Sequence, residues 1–162
     1  MKTAIIYYSM SGNAEFVANE IAKSCECELI KLIPEKTYHD KGLMKFIWGG
    51  KSAVMGEAPK LKNYSFNAAD YDTIILGTPV WASSITPPLR TFIKENIETL
   101  KQKKIFIYFC FSGGGADKAL DKFKKEFGLT IIEKLILVDP KDNDNAENRK
   151  MIKDFCEIID KR

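Results

Sequence analysis

Five short apolar runs alternate along this chain with segments of helical periodicity, and that alternation leaves few folds open. The runs are Lys2 to Tyr8 (KTAIIYY), Glu28 to Ile33, Thr73 to Gly77 (TIILG), Lys104 to Phe111 (KIFIYFCF) and Ile131 to Val138. They are rich in β-branched and aromatic residues and are bounded by turn formers, as strands are. Between them, apolar residues recur three and four apart. The predicted helical faces are Phe16, Val17, Ile21 and Ala22; then Leu89, Phe92, Ile93 and Ile97; then Ala119, Leu120 and Phe123; and last Met151, Ile152, Phe155, Ile158 and Ile159. Pro87 and Pro88 suit a helix opening, Gly128 a helix end and Asn145 an N-cap. TIILG has no polar alternation, so its strand is expected to be buried on both faces. The pattern predicts an α/β fold of three layers: a doubly wound, five-stranded parallel sheet of order 2-1-3-4-5. A chain of 162 residues suits one core, so residues 1–162 read as a single domain.

Composition narrows the function. Hydrophobic residues make up 45% and charged residues 29%, a globular balance. No apolar run approaches the roughly 18 residues that span a bilayer. Ala4 to Tyr8 is short for a secretory core and is stopped by polar residues from Ser9 onward. A cytoplasmic location with no membrane partner is expected. The net charge is only +3, with no interleaved aromatic and basic patch, so no nucleic acid is expected either. Cys25, Cys27, Cys110 and Cys156 match no zinc spacing and read as free thiols. One stretch, Pro34 to Asp72, is too long for a plain connection. It holds a predicted short helix, Leu43 to Val54, around Trp48-Gly49-Gly50. It also carries Lys36, Lys41, Lys45, Lys51, Lys60 and Lys62. It reads first as a solvated excursion beside the sheet, and second as a cover over a site or a partner surface.

In a doubly wound sheet, ligands bind beyond the carboxyl ends of the strands where the strand order reverses. Three turns should meet there. After the first strand comes Ser9-Met10-Ser11-Gly12-Asn13-Ala14. It supplies two hydroxyls, a glycine for tight curvature and the free N–H groups of a new helix. Such a turn can cradle a phosphate with neutral donors, since it contains no Lys or Arg. After the third strand comes Gly77-Thr78-Pro79-Val80-Trp81-Ala82-Ser83-Ser84, where Trp81 offers a face to a flat ring. After the fourth comes Phe111-Ser112-Gly113-Gly114-Gly115, whose glycines let the backbone approach a ligand. Each turn alone also reads as an ordinary cap, a packed Trp or a flexible loop. Their placement on neighbouring strand ends is the stronger signal.

These residues resemble the flavodoxins. Ser9-Met10-Ser11-Gly12-Asn13-Ala14-Glu15 is similar to that family's phosphate loop, [ST]-x-[ST]-G-N-T-E. Gly77-Thr78-Pro79-Val80-Trp81 is similar to the G-x-P-x-W turn of a flavodoxin-like subgroup. The resemblance covers essentially the whole chain and is of the short-chain type. It implies non-covalent FMN, with Ser9 to Ala14 on the phosphate, and Thr78 to Ala82 and Phe111 to Gly114 around the ring. Ala14 stands where the family usually has Thr, so Ala14→Thr is expected to tighten FMN. The Ser112 loop lacks the Tyr that often stacks on the ring, though Phe111 is adjacent. Electron-shuttling flavodoxins are usually acidic, whereas this chain has a sequence pI near 8.6. Carriers of the family often turn a Gly peptide toward the flavin in the one-electron state. The matching turn here, Pro79 to Ser84, has no Gly, and a non-Gly residue in left-handed geometry costs roughly 1–2 kcal/mol. The turn is expected to avoid that geometry, and the flavin to move two electrons together. No acidic side chain is expected to face the ring.

Other chemistries fit less well. A response regulator needs acidic residues where this chain has Ser9 and Pro79. Gly50-Lys51-Ser52 fails as a nucleotide loop because Lys45 holds the place of its first glycine. No G-x-G-x-x-G follows a first strand, and the single histidine, His39, lies in the excursion. Two classes remain. One is an electron carrier that docks on a redox partner protein. The other is an FMN-dependent NAD(P)H oxidoreductase that reduces a quinone or another small-molecule electron acceptor. The mixed charge favours the second, because carriers rely on single-sign steering.

Overall fold

The computed structural model describes residues 2–36, 38, 51, 53 and 55–161. Five strands form one sheet: β1 (Thr3–Tyr7), β2 (Cys27–Lys31), β3 (Thr73–Pro79), β4 (Lys104–Phe111) and β5 (Ile131–Val138). Their order is β2-β1-β3-β4-β5 and every neighbouring pair is parallel, as the alternation predicts. The helices are α1 (Asn13–Ser24), α2 (Pro87–Leu100), α3 (Ala116–Phe127) and α4 (Ala146–Asp160).

Successive residues of a strand point to opposite faces, and the central strands are apolar on both. Ile5, Ile75, Phe106 and Tyr108 therefore face α1 and α4, in a core closed by Val17, Ile21, Phe155 and Ile159. Ile6, Leu76, Ile107 and Phe109 face the other way, against Leu89, Phe92, Leu120 and Phe123 of α2 and α3. β3 is buried from Thr73 to Thr78, as its unbroken apolar run predicts.

Two helical faces differ in detail from expectation. In α1 the buried stripe is Ala14, Val17, Ala18 and Ile21, with Phe16 and Ala22 on its flanks. The small residues lie against the sheet, where the helix backbone comes closest. In α4, Met151 is exposed, and Ile152, Phe155, Cys156 and Ile159 make the face. Helix ends follow the sequence signals. The Asn145 side chain accepts from the Asn148 N–H, and Gly128 closes α3 in left-handed geometry.

The four cysteines are free thiols. Burial pushes the Cys27 thiol up to about 11 and raises Cys110 further, so both stay neutral at physiological pH. The excursion after β2 is pinned at its base by a Pro34–Leu61 bridge, with Glu35 N–H on Lys60 O and Lys62 N–H on Ile33 O. Beyond that bridge Tyr64 and Phe66 pack on Phe92 of α2. The predicted helix Leu43 to Val54, with Trp48, lies almost wholly outside the described residues, as does His39. Among the described residues no helix is long and apolar enough to cross a membrane.

Candidate functional site

The turns after β1, β3 and β4 meet at one end of the sheet around a cavity of ≈ 390 Å³. That size lies within the range of small-ligand clefts, about 300–1,000 Å³. Met10, Ser11 and Asn13 line it from the first turn, Pro79, Val80, Trp81 and Ala82 from the second, and Phe111, Ser112, Gly113 and Gly114 from the third. Two further lining residues were not among the predicted contacts: Ser83, inside the second segment, and Cys110, one position before the third. Four predicted residues, Ser9, Gly12, Ala14 and Thr78, are not among those that line it. Thr78 is fully buried, sharing a 2.9 Å hydrogen bond with the Thr86 hydroxyl and accepting from the Thr86 N–H at 3.2 Å. It fixes the end of β3 to the start of α2, beneath the second turn. Ala14 is also fully buried, and its carbonyl accepts the Tyr108 hydroxyl at 2.7 Å. Only its backbone N–H is left for a ligand. A threonine side chain there would enter the core beside Val17 and Ala18, so tighter binding from Ala14→Thr has no support in this geometry.

Ser9 and Gly12 shape the first turn. The Ser9 Oγ is buried and has no hydrogen-bond partner. Leaving a buried hydroxyl unsatisfied costs about 1–3 kcal/mol, so such an atom marks a place where a ligand acceptor or donor belongs. Gly12 takes φ 96° as the residue before α1, and the first N–H groups of the helix have no side-chain cap.

Sequence reading missed a fourth segment, Asp139-Pro140-Lys141 after β5. Asp139 Oδ1 accepts the Ser112 hydroxyl at 2.5 Å and the Asn13 amide at 3.4 Å, and the Asp139 N–H donates to Phe111 O at 3.0 Å. The Lys141 N–H donates to Asn13 Oδ1 at 3.0 Å. Its ammonium lies so close to Gly12 that a Cβ there would be 3.2 Å from Nζ. The cradle thus has a cation supplied from outside the loop, correcting the expectation of neutral donors alone. It also has a carboxylate at its rim. The one available signal was Asp-Pro-Lys at the end of the fifth strand, which alone reads as a plain turn.

The second turn overturns another expectation. Ala82 (φ 49°) and Ser83 (φ 53°) are both left-handed despite lacking glycine. They are the central residues of a tight hairpin in which Trp81 and Ser84 exchange two backbone hydrogen bonds of 3.0 Å. Positive φ at both central positions is the mirror-image turn that suits strand twist, usually at the cost of needing Asn or Gly. Here the surroundings hold it. Lys122 Nζ reaches the Ala82 carbonyl at 3.4 Å and the Ser84 hydroxyl at 3.2 Å. Ser83 tucks against Gly115, where a Cβ would lie 2.5 Å from the Ser83 Oγ. The turn already has the geometry it was expected to avoid, and the two-electron expectation loses its basis.

Trp81 forms one wall and is held edge-on by Tyr8 (5.7 Å) and Tyr38 (5.2 Å). Burial raises both phenols, Tyr38 to about 12 and Tyr8 further, so the cluster is uncharged. Burial and the Asp139 charge likewise keep the Cys110 thiol neutral against the cavity.

A doubly wound sheet with three converging turns and an aromatic wall at its switch point has the form of a nucleotide- or flavin-binding α/β protein. Within that class the family model "Flavodoxin" matches residues 2–157, and the chain belongs to the flavodoxin family. Solved structures agree in fold. A flavoprotein from Lactobacillus acidophilus NCFM in complex with FMN is 22% identical, with 88% of this chain and 96% of that chain covered and a TM-score of 0.73. Two-electron reduced Megasphaera elsdenii flavodoxin is 20% identical over 96% and 98% of the two chains, with a TM-score of 0.60. Oxidised flavodoxin 1 from Bacillus cereus is 21% identical over 97% and 95%, with a TM-score of 0.56.

Proposed function

We propose that the chain, acting as a single domain over residues 1–162, binds one FMN non-covalently in this cavity and transfers electrons through it. The observation that carries the reading is the first turn, where a buried, unpartnered Ser9 hydroxyl lies beside a left-handed glycine at a helix start. A phosphate monoester supplies acceptors for that hydroxyl, for Ser11 and for the helix N–H groups. Lys141 offsets its charge. The ring would lie between Trp81 and the Phe111–Gly114 backbone. When bound, FMN supplies a ring that takes up and gives off electrons singly or in pairs. The chain's own part is to hold the phosphate, exclude water with Trp81 and Val80, and present uncharged groups along the cavity wall.

Calorimetry tests this reading. One FMN per chain is expected, at least about tenfold tighter than FAD. The adenosine of FAD must continue past a phosphate already enclosed by Asn13 and Lys141. Equal affinity for FAD, or no binding of either flavin, overturns it. In the same assay Lys141→Gln should weaken FMN about three- to tenfold and flatten the salt dependence, because it removes one partly screened charge contact. An unchanged dissociation constant would leave the binding to neutral donors.

A second reading, an FMN-dependent reductase of small acceptors, is favoured by the cations that flank the second turn: Lys94, Lys122 and Lys125. An acidic docking face would favour a carrier. NADPH consumption by the purified protein with a quinone, and no other protein present, separates the two.

A further inference from the structure

A second cavity, of ≈ 510 Å³, lies among α2, α3 and the end of the excursion (Ala53, Met55 and Gly56), and shares the hairpin with the first. Ala82 and Ser83 line the first cavity, and Ser84 and Ile85 line the second. Among the described residues four cations converge on it, Arg90 and Lys94 from α2 and Lys122 and Lys125 from α3, against one carboxylate, Glu126. They stand three or four residues apart on each helix, so each pair shares a helical face.

Arg90 distinguishes this cavity from an ordinary lysine patch. It is only 4% exposed, and its Nε donates to Glu126 Oε1 at 2.9 Å. That bond occupies the one carboxylate of the cavity and leaves the Arg90 Nη1 buried without a partner. A buried guanidinium with an unused N–H edge is costly unless an acceptor completes it. Lys122 spends its donors on a carbonyl and a hydroxyl, neither of which neutralises it. Among the described residues no carboxylate pairs with Lys94 or Lys125.

We infer that this cavity is a site for a phosphate group, recognised by Arg90 with Lys94, Lys122 and Lys125, next to the proposed flavin pocket. As the anchor of a reactant that meets the flavin it rests on the reading above; as an anion site it stands alone. The phosphate is carried either by a nicotinamide dinucleotide or by a free phosphorylated small molecule. Both present the same acceptors to a fork-shaped guanidinium and flanking ammonium groups.

The test is a titration of inorganic pyrophosphate into the FMN-loaded protein at constant ionic strength, followed by amide and Arg90 Nε chemical shifts. Saturable shifts at Ser84, Ile85 and Arg90 are expected. The exposed double variant Lys94→Gln/Lys125→Gln should weaken them at least about fivefold while FMN affinity stays unchanged. Shifts that never saturate, or that are equal in both proteins, overturn the inference. A competing titration with NADPH identifies the carrier: displacement of pyrophosphate assigns the site to the dinucleotide, and its absence assigns it to a free phosphorylated molecule. Repeating the titration without flavin keeps the two readings apart. Failure of FMN to shift residues 9–14 removes the flavin reading alone, and failure of pyrophosphate to shift Ser84 to Arg90 removes this one alone.

Discussion

Gly77→Ala should destabilise the fold by roughly 3 kcal/mol, the upper end of what overpacking a core costs. A Cβ at Gly77 would lie 2.1 Å from the Tyr108 ring and its hydroxyl, and Tyr108 is fully buried. The ring has nowhere to retreat, because it crosses the face of β3 to donate its hydroxyl to the Ala14 carbonyl at 2.7 Å. That bond ties β4 to the first turn of α1. Displacing the ring therefore strains the core and unfastens the phosphate cradle together, so FMN affinity should fall with stability. Urea denaturation reads the first effect. Gly113→Ala is the control: a Cβ there meets nothing within 4 Å, so stability should change by less than about 0.5 kcal/mol. A loss of under about 1 kcal/mol for Gly77→Ala would mean that the Tyr108 ring is not fixed in this way.

Gly12→Val should weaken FMN at least about tenfold, the equivalent of about 1.4 kcal/mol. Valine must either hold φ near 96°, where a β-branched residue is strongly strained, or abandon the turn. Its Cβ also meets Lys141, 3.2 Å from Nζ, displacing the cation that the cradle supplies. Either response moves donors away from the phosphate. Affinity equal to that of the unaltered protein would place the phosphate elsewhere.

Much of this was legible in the sequence because the central strands are apolar on both faces. Runs such as TIILG and KIFIYFCF have one compatible environment, the middle of a covered parallel sheet, and the strand order follows from helices on both sides. The meeting of the three turns was legible for a similar reason: Ser9–Ala14, Thr78–Ala82 and Phe111–Gly114 each lie at or just past the carboxyl end of a strand. What was hidden depended on contacts distant in sequence. Lys141 reaches Gly12 across 129 positions of the chain, and nothing in Asp139-Pro140-Lys141 announces it. Ala14 and Thr78 fall within the site segments, yet their side chains serve the core and the start of α2. The left-handed Ala82 and Ser83 were hidden because local preference argued against them. Gly115 and Lys122, more than thirty residues on, supply the space and the donor that hold the hairpin.

In the proposed site the Ser9–Ala14 turn, with Lys141, encloses the phosphate of FMN. Phosphorus NMR of FMN on the protein, recorded from pH 5 to 8, tests it directly. A free phosphate monoester takes up its second proton near a pKa of about 6. Donor N–H and hydroxyl groups and a nearby ammonium favour the dianion, so the bound group's pKa should be depressed. The linkage has a definite sign: binding is strongest above the free pKa and is lost as pH falls through the depressed, bound value. The bound resonance should therefore stay constant across the range. A bound resonance that titrates near pH 6, as in free FMN, would show the phosphate to be exposed to solvent and would contradict the assignment.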